Sequence, residues 1–219
     1  MDNEEQKRRI PLDKKFMTKK INDVLYGYLQ VNSTLNTETN MRYIKKDDVN
    51  FTEIEEDLKY TFKRRTLVNH LFNLINYGFI GESEMIDTYG EPMKVYTFPY
   101  NTDSIYKLIP IETLRYLVDT ANPSVVSIYV YLLNKWEWKG NKYIFTEAEL
   151  IKNCLGVTST SNSRDYIRVD NVLTCLVNNG LIEYKKVYSK KNGVPVKKKK
   201  LLKVSTIYKG KRDDKKVVW

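Results

Sequence analysis

The chain has 219 residues, 42% of them apolar, which is enough for packed cores and excludes a disordered chain. Its net charge of +10 is unevenly placed: residues 1–182 sum to −1, whereas residues 183–219 carry 14 basic and 3 acidic side chains, a net of +11. No apolar run reaches membrane-span length, and the charged N-terminus (M-D-N-E-E-Q-K-R-R) has no apolar segment behind it to form a secretion signal, so a cytoplasmic protein is expected. The two cysteines, Cys154 and Cys175, lack Cys/His companions in a chain whose only histidine is His70, and buried reduced thiols are expected rather than a disulfide or a zinc site.

In chain order, residues 1–15 read as a charged arm. Thr18–Val31 has apolar residues at helical spacing (Ile21, Val24, Leu25, Tyr28, Leu29). Ser33–Asn40 reads as a polar loop and Met41–Ile44 as a short strand. Thr52–Leu58 reads as a helix opened by a capping box of Thr52 and Glu55. A third helix is predicted from Arg64 to Asn76, buried through Leu67, Leu71, Leu74 and Ile75, with Arg65, Asn69, Asn73 and Asn76 on its other face. Phe79–Met85 and Lys94–Phe98 form a predicted hairpin, and Pro99–Asp103 a linker.

The second half runs through the same kinds of element. Ile111–Asp119 is a predicted helix, and Asn122-Pro123 gives a cap with Pro at the first helical position of the next helix, which extends to about Trp138. Of Trp136 and Trp138, near its end, one is expected in the core and one at the surface. Lys142–Phe145 is a predicted short strand, Thr146–Cys154 a helix capped by Thr146 and Glu149, and Gly156–Ser163 a polar loop. Arg164–Asn178 is a predicted helix that buries Val169, Val172, Leu173 and Leu176. Leu181–Tyr188 and Lys199–Tyr208 form a hairpin around Lys190–Gly193, where Asn-Gly is a strong turn signal.

The two halves repeat each other. N-H-L-F-N-L-I-N-Y-G-F-I at 69–80 matches N-V-L-T-C-L-V-N-N-G-L-I at 171–182 with an offset of 102, and Phe51-Thr52-Glu53 is echoed by Phe145-Thr146-Glu147. Helix, short strand, two helices and a hairpin is the order of a winged helix-turn-helix. On these segments the chain resembles tandem winged helix-turn-helix DNA-binding proteins. More loosely, through Ile109-Pro-Ile-Glu-Thr-Leu, T-S-T-S-N-S-R and L-V-N-N-G-L-I, it is similar to the replication initiators of plasmids and phages. The resemblance implies an α+β, mostly α fold of two tandem winged-helix domains, each a three-helix core with a β-hairpin wing. These would occupy residues 16–100 and 101–208, followed by a basic tail at 209–219. It also implies a third helix entering the major groove, with the wing along the backbone or minor groove.

The candidate DNA-binding residues follow from charge and hydrogen-bonding chemistry. Lysines neutralise phosphates without reading sequence, and the second hairpin supplies Lys185, Lys186, Lys190, Lys191, Lys197, Lys198, Lys199, Lys200 and Lys203. Arg pairs bidentately with guanine and Asn with adenine, so Arg164, Arg168 and Asn171 are candidate base readers, with Ser161 and Ser163 as phosphate contacts before them. In the first half the candidates are Lys63, Arg64, Arg65, Asn69 and Asn73. Its hairpin is acidic (Glu82, Glu84, Asp87, Glu91), which leaves two readings open: DNA contact through the helix alone, or a surface for protein partners or for dimerisation.

No catalytic residue, metal site or cofactor is expected. His70 has no second histidine, the acids of Glu53–Asp57 crowd one helix, and no G-x-x-x-x-G-K-[ST] loop is present. The expected partner is double-stranded DNA, together with a second copy of the chain or replication or transcription proteins through the first half, and no membrane. The expected role is replication initiation or transcription regulation on a mobile element. The alternative is an adaptor that assembles a protein complex and touches nucleic acid only nonspecifically.

Overall fold

The structure, a computed structural model, describes residues 9–13, 22–99, 106–157, 159–191 and 194–206. The first half contains strand β1 (Arg9–Asp13), helix α1 (Asp23–Val31), strands β2 (Thr34–Asn36) and β3 (Met41–Lys45), helices α2 (Phe51–Asp57) and α3 (Arg64–Asn76), and the hairpin β4 (Gly81–Ile86) and β5 (Pro92–Phe98). The second contains β6 (Tyr106–Pro110), α4 (Ile111–Asp119), α5 (Val125–Lys139), β7 (Ile144–Phe145), α6 (Glu147–Cys154), α7 (Ser163–Asn178), β8 (Ile182–Lys191) and β9 (Val194–Val204). The strands form three antiparallel sheets, β1-β6, β2-β3-β5-β4 and β7-β9-β8.

This overturns the expectation of a mostly α chain of two tandem winged-helix domains. The molecule is α+β, and among the described residues nine strands stand beside seven α-helices. The first half carries a four-stranded sheet, because Thr34–Asn36, inside the stretch read as a loop, pairs with β3. Asn36 makes that turn by accepting from the backbone N–H of Glu38 and Thr39 through its side-chain oxygen, at 2.9 and 3.1 Å. The halves also lack separate three-helix cores: one apolar cluster runs from Val24 to Val204, and α1 packs against α4 and α5 of the second half. Strand β1, within the segment read as an arm, pairs along its length with β6.

The crossing of α1 and α4 explains a glycine inside a helix. A Cβ at Gly27 would lie 2.8 Å from Val118 Cγ2 and 3.3 Å from Leu114 Cδ1, so only a bare Cα lets the two helices come this close. Next to it, Asp23 is fully buried, and its two carboxylate oxygens accept from the backbone N–H of Ser124 at 2.9 Å and of Ser127 at 3.0 Å. The first half thus caps a helix of the second. The cap expected from Asn122-Pro123 is not the one formed: α5 starts at Val125, after Ser124 in a left-handed conformation (φ 71°), and Asp23 supplies the acceptor.

The repeat is real as local geometry. Gly78 (φ 73°) and Gly180 (φ 67°) stop α3 and α7 with equivalent bonds: Phe79 N–H to Leu74 O and Leu181 N–H to Leu176 O, both 2.9 Å. The caps differ. Thr146 accepts from Glu149 N–H at 3.2 Å, as expected, but in the first copy Asn50 is the cap (3.0 Å from Thr52 N) and Glu55 instead accepts from Arg64 N–H at 2.8 Å, opening α3. Among the described residues no helix is long and apolar enough to cross a membrane, and no group of His, Cys, Asp and Glu could hold a metal ion.

Candidate nucleic-acid interface

Helix α7 begins at Asn162, whose side chain accepts from Arg164 N–H at 3.0 Å, and Ser161 and Ser163 flank this cap in solvent. Its buried stripe is Val169, Val172, Leu173 and Leu176. Arg164 and Asn171 lie on the exposed face, joined there by Ile167, Asp170 and Thr174. Arg168 does not belong with them. Its Nε donates to Pro123 O at 3.3 Å, and the guanidinium sits close enough to Asp23 for the two charges to interact. The expectation that Arg168 reads a base is therefore corrected: it ties α7 to the capped start of α5.

The basic hairpin β8–β9 is long, with strands of 10 and 11 residues. Its register pairs Lys185 with Lys200, Lys186 with Lys199, Val187 with Lys198 and Tyr188 with Lys197. Directly opposite residues share a face, so Lys186, Lys190 and Lys197 stand on one side and Lys185, Lys198 and Lys200 on the other. None of these six makes an ion pair among the described residues, and Lys185, Lys186, Lys190 and Lys197 are exposed. The side chain of Lys191 lies outside the described residues, as does the tail 209–219.

Two lysines of the run do other things. Lys203 faces Glu183 across the strands at 3.7 Å, an exposed pair. Lys199 is 5% exposed: strand alternation places it beside buried Leu201, its ammonium pairs with Glu147, and it lies 5.6 Å from the centre of the Tyr184 ring. The expectation that Lys199 contacts DNA is corrected on that ground, since a buried ammonium bonded to a carboxylate is not available to a phosphate.

In the first half Lys63, Arg64, Arg65, Asn69 and Asn73 are all exposed. Lys63 is engaged, with its ammonium 3.3 Å from Glu55 and 5.6 Å from the Tyr60 ring centre. The Arg64 N–H, and after it Lys63, hold the Glu55 carboxyl below its usual range. Phe72 and Tyr77 are exposed toward the C-terminal end of the same helix, and Ile86 and Tyr89 at the tip of the first hairpin, none of them singled out by sequence. The acidic hairpin is partly compensated: Glu82 pairs with Lys46, Glu84 lies opposite Lys94, and Asp87 accepts from Tyr89 and Glu91 N–H at 2.8 and 2.9 Å.

The remaining singled-out residues are structural. His70 packs edge-on against Phe62, and burial lowers its pKa. Cys154 is buried and Cys175 half-buried, both are free, and burial raises both thiols. Trp136 packs partly against the core, whereas Trp138 is exposed. Buried Tyr131 and Tyr143 share Glu149 as acceptor, at 2.8 and 2.6 Å, which fixes the α5–α6 junction. No protein-family model, curated protein or solved structure matches the chain.

Proposed function

We propose that the chain is a double-stranded DNA-binding protein that acts in replication initiation or transcription regulation, on a mobile element such as a plasmid or phage, with its second half making the main contact. The observation that carries this reading is the β8–β9 hairpin: lysines on both faces without ion pairs among the described residues, directly following a helix whose exposed face holds Arg164 and Asn171. Unpaired lysines favour a polyanion, because each phosphate contact releases counterions. The helix face adds the planar groups that read base edges.

Selection from random duplexes followed by salt titration tests the reading. An enriched motif is expected, and Arg164→Ala relaxes one position of it by about 1–3 kcal/mol. Lys185→Ala, Lys190→Ala and Lys197→Ala together weaken binding to all duplexes and flatten the salt slope by roughly 0.9 for each phosphate no longer neutralised. The adaptor alternative draws on one observation, the exposed Phe72, Tyr77, Ile86 and Tyr89 of the first half. It takes over if no motif emerges and moderate salt abolishes binding.

A further inference from the structure

Tyr188 is 73% exposed in the middle of the basic hairpin, where one face of β8 reads Tyr184, Lys186, Tyr188, Lys190. Lys197 stands directly across from it. Five other tyrosines, at 60, 96, 131, 143 and 184, have a lysine ammonium over their rings, but the ring of Tyr188 has no partner among the described residues. A phenol ring left bare among cations suits neither hydrophobic docking nor an intact duplex. The lysines repel a basic partner and are costly to desolvate under an apolar one, and a duplex offers phosphates and base edges while its base faces stay stacked inside. A single strand offers both a phosphate chain and an uncovered base face.

We infer that this face of the hairpin binds single-stranded DNA, with Tyr188 stacking on an unpaired base and Lys186, Lys190 and Lys197 holding the flanking phosphates. The inference rests on the DNA-binding reading and sharpens it. A site for unpaired bases is of use to a protein that opens a duplex or holds it open, which is the initiator's task rather than the regulator's.

The test compares an oligothymidine with a fully paired duplex of equal length by fluorescence anisotropy, using the full chain and its Tyr188→Ala and Tyr188→Trp variants. Tyr188→Ala is expected to bind the oligothymidine about tenfold more weakly while its duplex affinity changes less than about twofold, and Tyr188→Trp restores stacking. The salt slope stays unchanged, because no charge is removed. An unchanged thermal melt of Tyr188→Ala shows that the fold is intact. Wild-type affinity of Tyr188→Ala for the oligothymidine overturns the inference, and so does an equal loss on both probes. If the wild-type chain binds the duplex but not the oligothymidine, the inference falls and the duplex reading stands. If it binds only the oligothymidine, and through Tyr188, the reverse holds.

Discussion

Replacing Asp23 with alanine tests whether the two halves are held together at one buried carboxylate. The change removes the acceptor for two backbone N–H groups, those of Ser124 and Ser127, and one of the opposite charges acting on Arg168. A hydrogen bond to a charged group contributes about 1.5–3 kcal/mol, and removing a helix cap costs about 0.5–2. These overlap, and leaving two buried N–H groups without an acceptor, at about 1–3 kcal/mol each, sets the scale at about 2–6 kcal/mol. In a chain of this size each kcal/mol moves the melting temperature by about 2–4 °C, so Asp23→Ala melts roughly 4–24 °C below wild type. Asp23→Asn keeps one acceptor but turns an amide donor toward the second N–H, and so falls between the two. Burial raises the Asp23 carboxyl above its ordinary value of 3.8, against the opposing N–H bonds and Arg168. Protonation therefore adds stability that is full below 3.8 and lost as pH rises through the raised value, and the deficit of Asp23→Asn shrinks over that interval. Circular dichroism melts in a pH series measure both effects. A loss below about 1 kcal/mol for Asp23→Ala would refute the capping argument.

Two further outcomes follow from packing. Gly27→Ala gains about 1 kcal/mol of helix propensity but drives a methyl group into Val118 at a cost of about 1–3, so denaturant titration should show a net loss of up to about 2 kcal/mol. A gain in stability would mean that α1 and α4 can separate without cost. His70 is half-buried with a lowered pKa, so its contribution to stability is present above 6.5 and is lost as pH falls through the lower folded value. His70→Leu should remove that part of the acid destabilisation, and an unchanged pH profile for the variant would contradict it.

Local signals in the sequence were legible and tertiary ones were not. Gly78 and Gly180 end their helices as the pattern predicts, and Thr146 caps α6, because each effect acts within a few residues. Asn50 displaces Thr52 as the cap of α2 for a similarly local reason: its side chain reaches both Thr52 N–H and the Glu53 carboxylate, at 3.0 and 2.8 Å. The cap of α5 could not be read this way, since its acceptor comes from Asp23, 101 residues earlier. Arg168 misled for a geometric reason. On a helical wheel it sits roughly 90° from the centre of the buried stripe, against about 150° for Asn171, so it borders the core and can turn inward. The exposed rings of Phe72 and Tyr188 escaped notice because apolar character signals burial in a sequence pattern, and only the structure shows where the neighbours stop.

Four consecutive lysines at 197–200 pose a problem that the leucine after them solves. A strand of identical side chains has little to distinguish one pairing from the pairing shifted by one residue, and such a slip turns every side chain to the opposite face. Glu147 accepts the ammonium of only one of the four, Lys199, which lies beside Phe145 and Leu201. Sliding β9 by one position would bring Lys198 or Lys200 to the same carboxylate, but it would carry Leu201 out of the core. Leu201, the first apolar residue after the run, therefore fixes the alignment of four otherwise equivalent lysines, and the alignment decides which of them meets Glu147. The four lysines, identical in sequence, are not interchangeable: Lys199→Ala leaves Glu147 without its partner and lowers stability, whereas the same change at Lys197 removes an exposed charge that the fold does not use.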